Sequence, residues 1–181
     1  MLQKLDRTQF DKIYEIMELS FPIDEHRPYS EQLALFENPV YEIYTLNDSG
    51  TNQILGFIAI WEFDEIVFVE HFAVNPECRN GGIGSRILKE LGELLNKRMC
   101  LEVELPESDI TKRRIGFYER NGFFLNEYPY VQPALSKGQG EVPLLVMTTG
   151  GKVSEEEFVE IKNVLYRDVY QKTCKNTPAS K

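Results

Sequence analysis

His71-Phe72-Ala73-Val74-Asn75-Pro76-Glu77-Cys78-Arg79-Asn80-Gly81-Gly82-Ile83-Gly84-Ser85 is the stretch whose reading decides the fold. Its first four residues end a β-branched and aromatic run, Ile66 to Val74, that reads as a strand. The next element is a helix with the apolar stripe Ile83, Ile87, Leu88, Leu91, Leu94 and Leu95. Between strand and helix, the glycines let successive backbone amides point into one concavity, and the helix dipole adds positive potential there. Arg79 adds a charge-assisted donor. The chemistry is that of a phosphate cradle. A P-loop fits it worse, because Gly84 is followed by Ser85-Arg86 instead of Lys-Ser/Thr. A dinucleotide fingerprint also fits worse, because Ile87 stands where a third glycine would be needed.

On the N-terminal side of this stretch, Tyr41–Leu46, Ile54–Phe63 and Ile66–Val74 are strand-like runs. Turn chemistry joins them at Asn47-Asp48-Ser49-Gly50 and around Asp64-Glu65, so the three form an antiparallel meander. Earlier still, a helix is expected over Thr8–Leu19, with Thr8 and Asp11 as a capping pair, and a shorter one over Ser30–Phe36 beyond the prolines at 22 and 28. On the C-terminal side, Met99–Leu105 is a strand reached through the crossover helix and hence parallel to Ile66–Val74. A helix over Asp109–Arg120 stops at Asn121-Gly122, and strands near Phe123–Val131 and Val142–Thr149 come after it. Ser154 and Glu157 make a capping box that opens a last helix. The pattern predicts an α+β fold of one domain over residues 1–171, a mixed and mostly antiparallel sheet of six or seven strands flanked by helices. Residues 172–181 are expected as a flexible tail.

A chain of 181 residues with 42% hydrophobic content can bury a substantial core. A net charge of −9 argues against a nucleic-acid backbone as partner; it would attract a cationic substrate, or serve only to keep the surface soluble, the commoner reason for such a balance. No run approaches the roughly 20 apolar residues of a membrane span, and the first residues lack the layout of a signal peptide, so no membrane partner and a cytoplasmic location are expected. Cys78, Cys100 and Cys174 match no zinc or redox spacing, and with only His26 and His71 no metal is expected.

Arg79, Gly82 and Gly84, with the lead-in His71-Phe72-Ala73-Val74-Asn75-Pro76-Glu77, resemble the signature of the GNAT superfamily of N-acetyltransferases: Arg or Gln, two residues, Gly, one residue, Gly or Ala. Ile115-Gly116-Phe117-Tyr118-Glu119-Arg120-Asn121-Gly122-Phe123 is similar to that family's helix carrying a tyrosine before a terminal Gly-Phe. The resemblance covers residues 53 to 149. It implies that the two central parallel strands splay apart to admit the pantetheine arm of acetyl-CoA. That arm would lie along Phe72, Ala73 and Val74, and amides of Arg79, Asn80, Gly81, Gly82, Ile83, Gly84 and Ser85 would surround the pyrophosphate. Coenzyme A is then a product, and the resemblance admits a homodimer. Thr111 departs from the pattern, standing where many relatives carry Asn.

The implied reaction is attack of a neutral amine on a thioester, with the acceptor a small molecule or a peptide or protein amine. An alkylammonium with a pKa near about 10.4 must first lose a proton, which a carboxylate can take. Glu70, just before the segment facing the thioester, is the first candidate base, and Glu102 and Glu104, on one face of the next strand, are its rivals. Alternation does not choose among them. His71 is expected on the opposite side of a regular strand from Glu70. The resemblance makes Tyr118 the acid for the departing thiolate. Arg27 and Glu25 are candidates for holding acceptor charges, with Tyr128 and Tyr130 as walls. An inactive acyl-CoA-binding or regulatory module of the same fold is the alternative reading.

Overall fold

The computed structural model describes residues 1–78 and 81–171; Arg79 and Asn80 of the glycine loop and the expected tail 172–181 lie outside them. The strands are β1 (Gln3–Lys4), β2 (Tyr41–Asn47), β3 (Ile54–Glu62), β4 (Ile66–Val74), β5 (Arg98–Glu104), β6 (Phe123–Gln132) and β7 (Val142–Thr149). They form one sheet in the order β1-β2-β3-β4-β5-β7-β6. Every neighbouring pair is antiparallel except β4 and β5. The helices are α1 (Phe10–Ser20), α2 (Tyr29–Ala34), α3 (Ile83–Leu95), α4 (Asp109–Arg120) and α5 (Glu155–Val164), the last running into a π-helical turn, Leu165–Val169.

The sheet is covered on both faces, which is why its central strands read as near-continuous apolar runs. On one face, Phe10, Ile13 and Met17 of α1 and Phe158 and Ile161 of α5 pack on Ile43, Phe57, Trp61, Phe68 and Val146. On the other, Ile87, Leu88 and Leu91 of α3 and Ile115 and Tyr118 of α4 pack on Ile58, Ile60, Val67, Leu101 and Met147. Gly56 on β3 is fixed by this second layer: an added Cβ would stand 2.9 Å from both the Ala73 carbonyl oxygen and Ile87 Cδ1.

One local expectation gives way. The first helix is capped further upstream, because Asp6 accepts from the Thr8 amide at 2.9 Å and opens a 3-10 turn over Arg7–Gln9. The two-residue β1 carried too little pattern to read as a strand. The capping box at Ser154 and Glu157 forms as expected. Among the described residues no helix is long and apolar enough to cross a membrane.

Candidate active site

The parallel pair β4 and β5 is in register only from Ile66–Val69 against Arg98–Leu101. Beyond that point β4 continues to Val74 and β5 to Glu104 without pairing each other. This splay opens a cleft of about 680 Å³ with walls from both faces of the sheet. Phe72, Gly82, Ser85, Phe117 and Tyr118 line one part of it, and Phe21, Pro22 and Glu25 from the α1–α2 connection line another. Glu70, Glu102 and Glu104 all reach it, as do Ala73, Val74, Ile83 and Gly84. Gly81 is not among the lining residues.

At the head of α3, Gly82 adopts φ +69°, the left-handed region that glycine enters without strain, and no side chain caps the helix. The first-turn amides therefore face the cleft without an internal acceptor from a capping side chain. Gly84 matters for a different reason. A Cβ there would come within 3.1 Å of Phe117 Cζ and 3.4 Å of Phe72 Cζ, so the helix packs on these two rings with little room for a side chain.

Glu70 owes its position to an irregularity. The β3–β4 register pairs Ala59 with His71 and Ile60 with Val69, leaving Glu70 as an extra residue in a β-bulge. The strand is therefore not regular here, and His71 does not turn away from Glu70: its Nδ1 lies 3.5 Å from Glu70 Oε2, while its Nε2 meets the Glu25 carbonyl at 2.8 Å. Because that carbonyl can only accept, Nε2 carries a hydrogen. Arg27 donates to Glu70 Oε1 at 2.7 Å, with both side chains almost wholly buried, and also reaches the Val169 carbonyl at 3.4 Å. Burial alone would raise the Glu70 pKa. The Arg27 guanidinium and His71 outweigh it and hold the carboxyl down at about 2. Arg27, expected as a possible anchor for an acceptor carboxylate, is thus committed to an internal one.

Glu102 has different surroundings. Its Oε1 accepts from the Tyr130 hydroxyl, and the Tyr170 hydroxyl lies 2.8 Å from Oε1 and 2.7 Å from Oε2. No cation pairs with it among the described residues. Burial pushes its pKa up to about 7, against the pull of the two phenols and with help from the negative charges of Glu70 and Glu25. Glu104, at the open end of β5, is held by Arg114 of α4. Glu25, partly buried in the same cleft, has its pKa raised by burial and by Glu104. Tyr118 is buried against Phe72, Phe117 and Phe123, and desolvation lifts its pKa to about 12.

Thr111 is occupied in the capping box of α4, where its hydroxyl receives the Ser108 amide and its own amide reaches Ser108 Oγ, both at 3.1 Å. Tyr128 turns to the Val153 carbonyl at 3.1 Å and does not line the cleft. Tyr170 carried no sequence signal, because it meets Glu102 across 68 positions of chain.

Set on such a sheet, a parallel pair that parts beside a glycine-headed helix, with a buried tyrosine opposite, defines an acyltransferase fold. The chain belongs to the acetyltransferase (GNAT) family, whose model matches residues 10–123, and it is an acyltransferase. It is similar to "Putative acetyltransferase YjbC" of Bacillus subtilis, 29% identical over 160 residues that cover 87% of this chain and 80% of that protein. Its structure superposes on the "Putative acetyltransferase from GNAT family" of Bacteroides thetaiotaomicron with a TM-score of 0.85 at 34% identity, covering 96% of this chain and 99% of the other. An aminoglycoside 6'-N-acetyltransferase complexed with coenzyme A shares the fold, with a TM-score of 0.59 at 17% identity over 82% of this chain and 96% of that one.

Proposed function

We propose that this acetyltransferase moves the acetyl group of acetyl-CoA to a primary amine by direct attack on the thioester, with Glu102 as the general base and Tyr118 as the acid. The observation that carries the reading is the placing of a half-buried carboxylate, cation-free among the described residues, at the mouth of the splay, in one cleft with the head of α3 and Tyr118. Glu70 serves this role poorly: a carboxyl held near 2 by Arg27 is a weak base, whereas one near 7 is matched to the working pH. Glu104 is tied to Arg114.

For the donor, the unpaired edge of β4 at Phe72, Ala73 and Val74 offers backbone groups to an extended arm, as an added strand would use them. The amides of Gly82, Ile83, Gly84 and Ser85 suit a pyrophosphate, and the close packing of Gly84 on Phe117 and Phe72 fixes the head of α3 beside the cleft. Acetyl-CoA supplies an activated acyl group and a thiolate leaving group. Tyr118, protonated throughout the working range, has its hydroxyl available to the departing sulfur. On the acceptor side, the carboxylates of Glu25, Glu70, Glu102 and Glu104 outnumber the cations Arg27 and Arg114, which supports an acceptor that arrives as an ammonium.

Glu102→Gln, assayed with a panel of amines and product mass spectrometry, is expected to lower kcat by about 10² to 10⁴. Acetyl-CoA affinity by calorimetry should be unchanged. A variant with wild-type turnover sinks the assignment of the base.

A further inference from the structure

Neither phenol that touches Glu102 lines the cleft, so both act on it from behind. Tyr130 comes from β6, and Tyr170 comes from the end of the chain's last helical segment. That segment changes its winding on the way. After α5, residues Leu165–Val169 form a π turn, closed by the Tyr170 amide donating to the Leu165 carbonyl at 3.0 Å. Each residue of an α-helix turns the next by about 100°, so the extra residue in a π turn redirects everything beyond it by about that angle. It carries Tyr170, 8% exposed, onto both oxygens of Glu102, and it presents the Val169 carbonyl to Arg27.

We propose that Tyr170 and Tyr130 are positioning residues for acetyl transfer, fixing the Glu102 carboxylate for the acceptor amine and favouring its ionised form. The inference rests on Glu102 being the base. Two hydroxyl hydrogens serve a group with about four acceptor sites. Tyr130 engages Oε1, while the single Tyr170 hydrogen is shared between Oε1 and Oε2. Both oxygens are thus held by the phenols, and lone pairs remain on the carboxylate to take a proton. A buried carboxylate without donors stays protonated and cannot act as a base, whereas one paired with a cation ionises too readily to hold a proton. Phenols stabilise the carboxylate without adding a formal charge to a cleft that receives an ammonium.

The titratable and charged groups around Glu102 come from several elements. They are Tyr130 on β6, Tyr170 beyond the π turn, Glu70 on β4 with its partners Arg27 and His71, Glu25 before α2, and, on β5 itself, Cys100 and Glu104, the latter held by Arg114 of α4; β7 contributes Val146, which carries no charge. Only the two tyrosines donate to it among the described residues.

The test is the pH dependence of kcat/KM in Tyr170→Phe and Tyr130→Phe. Each change removes a donor to a charged acceptor, so the acidic limb is expected to move upward by roughly 1 to 2 pH units, with activity regained at higher pH. Acetyl-CoA affinity should be unaltered. A limb that stays in place, with activity lowered evenly at every pH, overturns the inference and leaves the tyrosines as packing. The two changes lie on different elements, so if one variant fails to fold the other decides. Glu102→Gln separates this from the underlying reading. If that variant keeps both turnover and limb, the base assignment falls; if it loses the limb while the tyrosine variants keep it at the wild-type pH, only the positioning role falls.

Discussion

Glu70 and Glu102 each stand just past the paired part of their strands, β4 and β5, the first with its side chain buried and the second half-buried, and both reach the same cleft. Their surroundings nevertheless pull them apart. A guanidinium and an imidazole meet Glu70 and hold it near 2; two phenols meet Glu102 and leave it near 7. The same side chain becomes an anchor in one place and a candidate base in the other. Depth of burial does not decide between these roles, because it acts on both in the same direction. The charge of the partner does.

Removing each carboxyl in turn puts the contrast between them under the most severe strain. Glu70→Ala strands the Arg27 guanidinium in the interior and is expected to destabilise the fold by about 3 to 5 kcal/mol, read from urea unfolding. Glu102→Ala leaves only two neutral hydroxyls unpartnered, with a smaller loss of about 1 to 3 kcal/mol. Equal losses would show that the charge of the partner does not distinguish the two sites. Arg27→Met combined with Glu70→Leu should recover much of the first loss, since it removes both charges together.

Tyr118→Phe comes next, with kcat expected to fall about 10²-fold. Its acidic limb should stay where the wild type has it, since that limb belongs to Glu102. A displaced limb would couple Tyr118 to the wrong group.

Stability against pH separates the two carboxyls again, because they contribute with opposite sign. The folded value of Glu70 lies below the ordinary 4.5, so its stabilisation is present above 4.5 and is lost as pH falls toward about 2. The folded value of Glu102 lies above 4.5, so folding is most favoured below 4.5 and loses this contribution as pH rises toward about 7. Urea midpoints of Glu102→Gln should flatten the decline between those limits and leave the acid side unchanged, whereas Glu70→Gln should do the reverse.

The smallest effect serves as a control away from both carboxyls. Gly84→Ala, whose Cβ meets Phe117 at 3.1 Å, is expected to raise the KM for acetyl-CoA several-fold with little change in the pH limb. An unchanged KM would separate the head of α3 from donor binding.

Much of the fold was legible because it is written locally. Ile66–Val74, Asp109–Arg120 and Val142–Thr149 have the bounds their patterns suggest, since turn residues and capping side chains mark the ends. The start of α3 was legible for the same reason, with Gly82 before it in a conformation that few other residues adopt. The choice among the glutamates was not. Strand alternation assumes one residue per pleat, and the bulge at Glu70 breaks that assumption without any sign in the residue types. Nor does apolar spacing reveal a π turn at Leu165–Val169, so the approach of Tyr170 to Glu102 emerges only from the packed structure.

The bulge also bears on how such a site can change over generations. Because one extra residue sets the facing of Glu70, His71 and everything after them on β4, substitutions can vary the side chains there but cannot restore the regular register. Only an insertion or deletion can do that. A deletion would at one stroke unseat Arg27 and swap Phe72 with Ala73 across the sheet, so few viable intermediates connect the two arrangements. The single added residue is thus a ratchet for point mutation: substitutions can vary the side chains of β4 while the frame on which they hang stays fixed.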